Sequence, residues 1–324
     1  MSLVEKAIEK LRRENAAKVA AATAKPSLRQ TVAVPMPSVT APATPAAPKP
    51  IGTLLPAEAT AAAAAAHLSG RAHLRIDRDG LRALGYMPDS SCDRQFAGHY
   101  RQIKRPLIAT ALEGLADGTR SRRLIMMASA LPGDGKTFTS INLAMSMSRE
   151  RDISVLLVDA DVAKPHVSEL FGLREQRGLL DSLTDKSQDV ESFVLPTDIN
   201  GLSILPAGTR SEGATELIAS SRMGALVSHL LDADPRRIVL FDSSPLLVSS
   251  ESRELAKFVG QVLLVVRASK TPQRAVLDAV HMLGEEVAVG LVLNQGRPSM
   301  LDGIYGYGYG YGAYGDYGND TPVQ

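Results

Sequence analysis

Leu124-Ile-Met-Met-Ala128, followed by Ser129-Ala-Leu-Pro-Gly-Asp-Gly-Lys-Thr137, is the stretch that decides the fold. The first five residues read as a buried strand, and Phe138 to Met147 reads as a helix. A strand that runs into a glycine-bearing loop, with Lys-Thr opening the next helix, is the physical design of a nucleotide phosphate site. Free backbone N–H groups and the positive end of the helix face the same point. Lys136 can reach β- and γ-phosphates, and the Thr137 hydroxyl can ligate Mg²⁺. The loop departs from the common G-x-x-x-x-G-K-S/T pattern, because Ala130 occupies the first glycine position and Pro132-Gly133-Asp134-Gly135 supplies the tight turn. The nucleotide is therefore expected against Leu131, Pro132, Gly133, Asp134, Gly135, Lys136, Thr137 and Phe138. An ordinary glycine turn needs no Lys-Thr, and a dinucleotide turn uses G-x-G-x-x-G without it.

Two further strands end in carboxylates. Val155-Leu-Leu-Val-Asp-Ala-Asp161 precedes Lys164-Pro165, and Ile238-Val-Leu-Phe-Asp242 precedes Ser-Ser-Pro245. Ligands of open α/β sheets bind at the carboxyl ends of the strands. Of Asp159 and Asp161, one carboxylate could hold Mg²⁺ and the other could orient or deprotonate an attacking hydroxyl. Asp242 is the expected magnesium-side carboxylate, acting through a bound water. Each of the three could also be a plain helix cap. Gly290-Leu-Val-Leu ends in Asn294-Gln295, where Asn294 is either a contact to the nucleotide base or a loop amide satisfied by its neighbours. Arg267, after the strand Val262–Val266, has the same ambiguity.

Working outward, apolar strand candidates are Leu124–Ala128, Val155–Val158, Ser203–Leu205, Ile238–Phe241, Val262–Val266 and Gly290–Leu293, with helices read over 137–149, 214–232, 251–257 and 272–284. Uninterrupted apolar strands alternating with helices predict an α/β fold of the P-loop NTPase type. It would have a mostly parallel sheet covered by helices on both faces. The domain is placed over 96–297, roughly 200 residues and enough for one core.

Before it, residues 1–20 read as a short amphipathic helix, with Leu3, Ala7, Ile8 and Leu11 at helical spacing. That helix either packs on its own domain or docks a partner. Residues 21–66 are rich in Ala, Pro, Ser and Thr and read as a flexible linker, because they offer little apolar surface to offset ordering entropy. Residues 67–95 form a transition segment in which Leu81, Leu84 and Tyr86 could lay a short element on the domain. Residues 298–324 read as a Gly/Tyr-rich tail.

The 324 residues hold 36 basic and 35 acidic side chains, so the formal charge of +1 gives no field that argues for a nucleic-acid partner. The single cysteine, Cys92, excludes an internal disulfide framework and a cysteine-rich metal site. No apolar run approaches the roughly 20 residues needed to span a bilayer. With no secretion signal, a cytoplasmic location is expected. The tail holds six of the eight tyrosines: Tyr305, Tyr307, Tyr309, Tyr311, Tyr314 and Tyr317. Intervening glycines leave each hydroxyl accessible and let the segment enter an active site. Such a tail could also be no more than a sticky low-complexity segment.

Ser129–Thr137, Val155–Pro165 and Ile238–Pro245 together resemble the three nucleotide motifs of bacterial protein-tyrosine kinases. The resemblance is closest to the cytoplasmic autokinases associated with exosortase-type exopolysaccharide loci. Supporting matches include Tyr100-Arg-Gln-Ile-Lys-Arg-Pro106, Thr215-Glu-Leu-Ile-Ala-Ser220 and Gly260-Gln-Val-Leu-Leu-Val-Val266. The resemblance implies ATP and Mg²⁺ as cofactors, with Lys136, Asp159 and Asp161 catalytic and Thr137, Asp159 and Asp242 on the metal. The tail tyrosines of a neighbouring subunit would be the phosphoacceptors.

The same resemblance implies a membrane chain-length or co-polymerase protein as activator and a cognate tyrosine phosphatase. It also implies a homo-oligomer, possibly a ring, that tail phosphorylation loosens by repulsion. Recruitment to the inner face of the membrane and control of exopolysaccharide polymerisation or export would follow. Two departures stand out. Ala163 and Lys164 replace the usual arginines of the second motif. Gly98, Arg101 and Lys104 occupy the place of a Glu-x-x-Arg-x-x-Arg interface motif, so its glutamate is missing. A partitioning-type ATPase is the main alternative, but Leu131 stands where such proteins carry a signature lysine. A non-catalytic nucleotide-binding scaffold is the second.

Overall fold

A computed structural model describes residues 51–55, 73–88, 93–116, 119–185, 187–284 and 287–296. The chain divides into two units, Met1–Ala47 and Pro48–Gln324, and every described residue belongs to the second. The expected N-terminal helix, most of the linker and the tyrosine tail lie outside the described residues.

A seven-stranded sheet organises the unit, in the order β5-β6-β4-β7-β3-β8-β9. The strands are β3 (Leu124–Ser129), β4 (Ser154–Asp159), β5 (Leu195–Pro196), β6 (Leu202–Leu205), β7 (Arg237–Asp242), β8 (Gln261–Arg267) and β9 (Ala288–Asn294). All neighbours run parallel except β5, which is antiparallel to β6. Every residue of β3 is buried, as a central strand covered on both faces requires.

Alternate residues of each strand enter opposite cores. Leu124, Met126, Ala128, Leu156, Val158, Val239 and Phe241 face one layer. That layer is built by α5 (Leu179–Thr184), α6 (Ala214–Ala219), α7 (Ser221–Ala233), α8 (Ser250–Ala256) and α9 (Gln273–Leu283). Ile125, Met127, Val155, Leu157, Ile238 and Leu240 face the other. There they meet α1 (Arg78–Ala83), α2 (Asp93–Ala116), α3 (Lys136–Met147) and α4 (His166–Leu170). Each fully buried Leu, Ile or Met contributes about 1.5–3 kcal/mol, so the two layers hold the sheet rigid beneath its carboxyl edge.

Two boundaries differ from the sequence reading, and the short element read in the transition segment is present. Within the stretch read as linker, β1 (Gly52–Leu55) pairs antiparallel with β2 (His73–Ile76), and the Ile51 amide donates to Leu170 O at 2.8 Å. Ile51 is buried, so this short piece is part of the core rather than tether. The transition segment joins the same layer: Leu81 is fully buried, Tyr86 is half-buried, and Leu84 remains 40% exposed. The helix read over 214–232 is two helices, because Ser220 is extended at φ −74°, ψ 157°. Its hydroxyl donates back to Leu217 O, a local bond that competes with continuing the helix.

Candidate active site

The carboxyl edge gathers the ends of β3, β4, β7 and β9 around the start of α3. Gly135 caps α3 with φ 94°, and Gly133 has φ 83°. Both lie in the left-handed region that side chains with a Cβ avoid. At Gly135 a Cβ would also fall 2.0 Å from Asn294 Nδ2. The loop therefore needs glycine there for two independent reasons. Its carboxylate, Asp134, is buried and turned inward, accepting from Thr271 Oγ1 at 2.6 Å and from the Leu131 amide at 3.3 Å. Asn294 Nδ2 donates to Asp134 O at 2.9 Å, and Asn294 Oδ1 accepts from the Gln295 amide. Of its two readings, this geometry is that of the satisfied loop amide. Asn294 nonetheless lines the cleft.

That cleft encloses about 490 Å³ and is lined by Gly133, Gly135, Lys136, Thr137, Phe138 and Asn294 among others. Leu131, Pro132 and Asp134 do not line it. The Leu131 N–H donates to the Asp134 carboxylate within the loop. The second wall comes from Leu84, Gly85 and Tyr86, with His166 and Gln295 closing the rim. Tyr86 is held by its carbonyl, which accepts from Asn142 Nδ2 on α3 at 2.7 Å.

Asp159 and Asp242 stand in register on neighbouring parallel strands and are both fully buried. Asp242 has both oxygens engaged: Thr137 Oγ1 donates to Oδ2 and Ser140 Oγ to Oδ1, each at 2.8 Å. Thr137 and Ser140 sit one turn apart on the same face of α3, so one helix supplies both donors. Asp159 accepts twice at Oδ2, from the Ser168 amide and from Ser168 Oγ, both at 2.7 Å. Its Oδ1 is buried with no partner.

Burial, then the charge of Asp242, pushes the Asp159 carboxyl well above the usual carboxylate range, against the two bonds from Ser168. Burial raises Asp242 too, while Lys136 and the Thr137 and Ser140 hydroxyls act to hold it down. Asp161, also buried, accepts at Oδ1 from Ser244 Oγ at 2.6 Å and from the Lys164 amide at 3.1 Å.

A buried carboxylate pair with one orphaned oxygen beside a threonine hydroxyl fits a divalent cation. No group of three or more His, Cys, Asp or Glu that could hold a metal occurs among the described residues. A cation here would need phosphate oxygens and water to complete its shell, which is the habit of Mg²⁺.

The structure thus brings together Gly133, Gly135, Lys136, Thr137, Phe138, Asp159, Asp161, Asp242 and Asn294. Arg267 is half-exposed, and its amide donates to Thr271 Oγ1. Lys164 is exposed. Sequence reasoning missed Ser140, Ser168, Thr271, Tyr86 and His166. Only Ser140 carried a usable signal, its spacing of three from Thr137.

Comparison with known proteins adds to this geometry. A family profile described as "ParA: NUBPL iron-transfer P-loop NTPase" matches residues 120–232, from the turn before β3 through most of α7. The tyrosine-protein kinase YwqD of Bacillus subtilis is 31% identical over 202 residues, covering 62% of this chain and 83% of that protein. The succinoglycan biosynthesis transport protein ExoP of Rhizobium meliloti is 30% identical over 232 residues, covering 68% of this chain but 28% of ExoP. Among solved structures, the VpsO kinase domain is 30% identical with a TM-score of 0.49, covering 61% of this chain and all of that one. The chain thus matches a small part of ExoP and most of YwqD. With a P-loop and strand-end carboxylates gathered at one edge of its sheet, and 31% identity across 83% of a tyrosine-protein kinase, this chain belongs to the bacterial tyrosine-protein kinase family.

Proposed function

We propose that the chain is an ATP-dependent tyrosine autokinase whose acceptors are its own tail tyrosines, Tyr305 to Tyr317, presented by a neighbouring subunit. One observation carries the reading: at the start of α3, Thr137 binds Asp242 beside an Asp159 whose Oδ1 has no partner. That is an unmet demand for a cation next to a phosphate loop. Mg²⁺ held by Thr137, Asp242 and Asp159 would neutralise phosphate charge. Lys136 binds the β- and γ-phosphates, and Gly133 and Gly135 let the backbone approach them. Asp161 orients the incoming phenol and takes its proton. The phenolic oxygen forms a bond to the γ-phosphorus, the bond from that phosphorus to the bridging oxygen breaks, and ADP leaves. The mechanism is chiefly positioning and electrostatics, as in phosphoryl transfer generally.

The wider setting rests on the same reading. ExoP is named for succinoglycan biosynthesis and transport, which supports a role in exopolysaccharide polymerisation or export. No helix among the described residues is long and apolar enough to cross a membrane. We assign recruitment to the inner membrane face to a chain-length or co-polymerase partner, docked by the helix read over 1–20. A cognate phosphatase would reset the tail, and the working state would be a homo-oligomer, possibly a ring. The organisation is then a helix at 1–20, a linker interrupted by β1, a kinase domain through 297 and an acceptor tail over 298–324.

The test mixes two defective chains. One is catalytically intact but ends at Met300; the other is full-length Lys136→Ala. With Mg-ATP, phosphate should appear on Tyr305–Tyr317 of the second only when the first is present. An unmodified tail, with inorganic phosphate released instead, would make the protein an ATPase switch.

A further inference from the structure

At the end of α3 opposite to the nucleotide loop lies a second cavity, of about 600 Å³. Four arginines line it: Arg78 and Arg82 from α1, and Arg149 and Arg151 from the turn after α3. Arg82 pairs with Asp79 at 2.9 Å. Arg78, Arg149 and Arg151 pair with no acidic side chain among the described residues. Asp198 is the one carboxylate in the lining, and its Oδ1 accepts from the Ile76 amide at 3.0 Å. The neighbouring Glu150 is taken by Lys104, which also donates to Ser146 O. With Arg82 met by Asp79, three arginines of the lining stand against the single carboxylate of Asp198. The carboxyl end of α3 adds about half a negative charge, which the arginines outweigh.

The remaining lining is apolar and partly aromatic. Met87, Phe96 and Met145 contribute to the wall, and Phe96 packs against Tyr100 with ring centroids 4.7 Å apart. The planar guanidinium fork pairs with oxyanions, phosphate among them, through parallel hydrogen bonds. Methionine and aromatic surfaces select a ring. One ligand class satisfies both halves, an aryl phosphate.

We propose that this cavity binds a phosphotyrosine of the chain's own tail. This rests on the autokinase reading for the origin of the phosphate, though not for the binding itself. Reach supports the same occupant. Asn294 sits on the loop at the start of α3, and α3 is 12 residues long, about 18 Å at 1.5 Å per residue. Tyr305 follows Gly296 by nine residues, roughly 30 Å of extended chain. Later tyrosines reach farther, so the tail spans the helix within one subunit. Docking there withdraws the modified tail from the catalytic cleft and shields its phosphate from a phosphatase.

The experiment uses full-length chain stripped by a tyrosine phosphatase, without ATP. It is titrated with a synthetic fluorescent peptide copying residues 303–312 and phosphorylated at Tyr307. Because the phosphate comes from synthesis, an inactive kinase would not affect the result. The phosphopeptide should bind at least about tenfold tighter than the unmodified peptide or inorganic phosphate, as expected for charge-assisted pairs combined with ring contacts. Saturating Mg-ADP should leave binding intact. The double variant Arg149→Gln, Arg151→Gln should lose about tenfold or more with an unchanged melting temperature, since both side chains are exposed. Should that variant melt early, Arg78→Gln alone carries the comparison. Equal affinity for the modified and unmodified peptides, full affinity after loss of the arginines, or displacement by ADP would each overturn the proposal.

Discussion

Replacing Asp159 by Asn tests whether the two strand-end carboxylates form a cation site. Both are fully buried and lie in register on adjacent strands, whose backbones run roughly 5 Å apart. Two unit charges at about 5 Å repel by about 3 kcal/mol at an effective dielectric of about 20. Burial and this repulsion raise the folded-state pKa of Asp159 well above its ordinary value, and burial raises Asp242 as well.

A carboxyl whose folded pKa exceeds its unfolded value favours the fold while it is protonated. That contribution is complete below the unfolded value of about 4 and is lost as pH rises through the folded value. Ligand-free wild type therefore loses stability from about pH 4 upward through the raised titrations. The amide oxygen introduced by Asp159→Asn would still accept both bonds from Ser168, so the variant removes charge without removing that anchor. At pH 8.5 the variant should be more stable by about 2–3 kcal/mol, which is about 4–12 °C in melting temperature for a domain of this size. The two curves should converge near pH 4. Mg-ADP should raise the wild-type melting temperature and leave the variant nearly unmoved. Differential scanning calorimetry across this range reads all three effects. A variant that melts at or below wild type at pH 8.5, or a curve parallel to wild type throughout, would mean that the two carboxylates do not repel each other in the folded protein.

Gly135→Ala forces a Cβ onto Asn294 Nδ2 in a left-handed conformation. It should cost about 1–3 kcal/mol of stability and weaken nucleotide binding, measured by calorimetry with ADP. Thr271→Val removes the hydroxyl that donates to buried Asp134. A loss of about 1–3 kcal/mol in urea denaturation is expected, with looser nucleotide affinity as the loop relaxes. Ser140→Ala strips one donor from Asp242 while leaving the Thr137 bond. It should lower apo stability by a similar about 1–3 kcal/mol, and Mg²⁺ titration should recover part of that loss.

Much of this site could be read from the chain because its parts are local. The loop from Ser129 to Thr137 holds strand, turn and helix start in continuous sequence, and Asp159 and Asp242 each end an uninterrupted apolar run. All six strand readings coincide with observed strands, each reaching one to two residues farther at one end or both. What escaped was relational. Ser168 meets Asp159 only because α4 returns under the end of β4, and Thr271 meets Asp134 across 137 residues of chain. No single-chain spacing encodes either pair. β1 was hidden because four residues in an Ala/Pro-rich stretch have no periodicity, and their support comes from β2 and Leu170. Lys104, read from the sequence as one position of an interface motif, is instead buried, with its ammonium on Ser146 O and Glu150.

On the proposed function, the carboxyl edge of this sheet transfers phosphate to tyrosine. Intact-protein and peptide mass spectrometry of wild type and Lys136→Ala, each incubated with Mg-ATP, tests it most directly. Wild type should carry multiple phosphates confined to Tyr305–Tyr317, and Lys136→Ala should carry none. Equal tail phosphorylation in both proteins, or none in wild type even with the partner's cytoplasmic segment supplied, would contradict it.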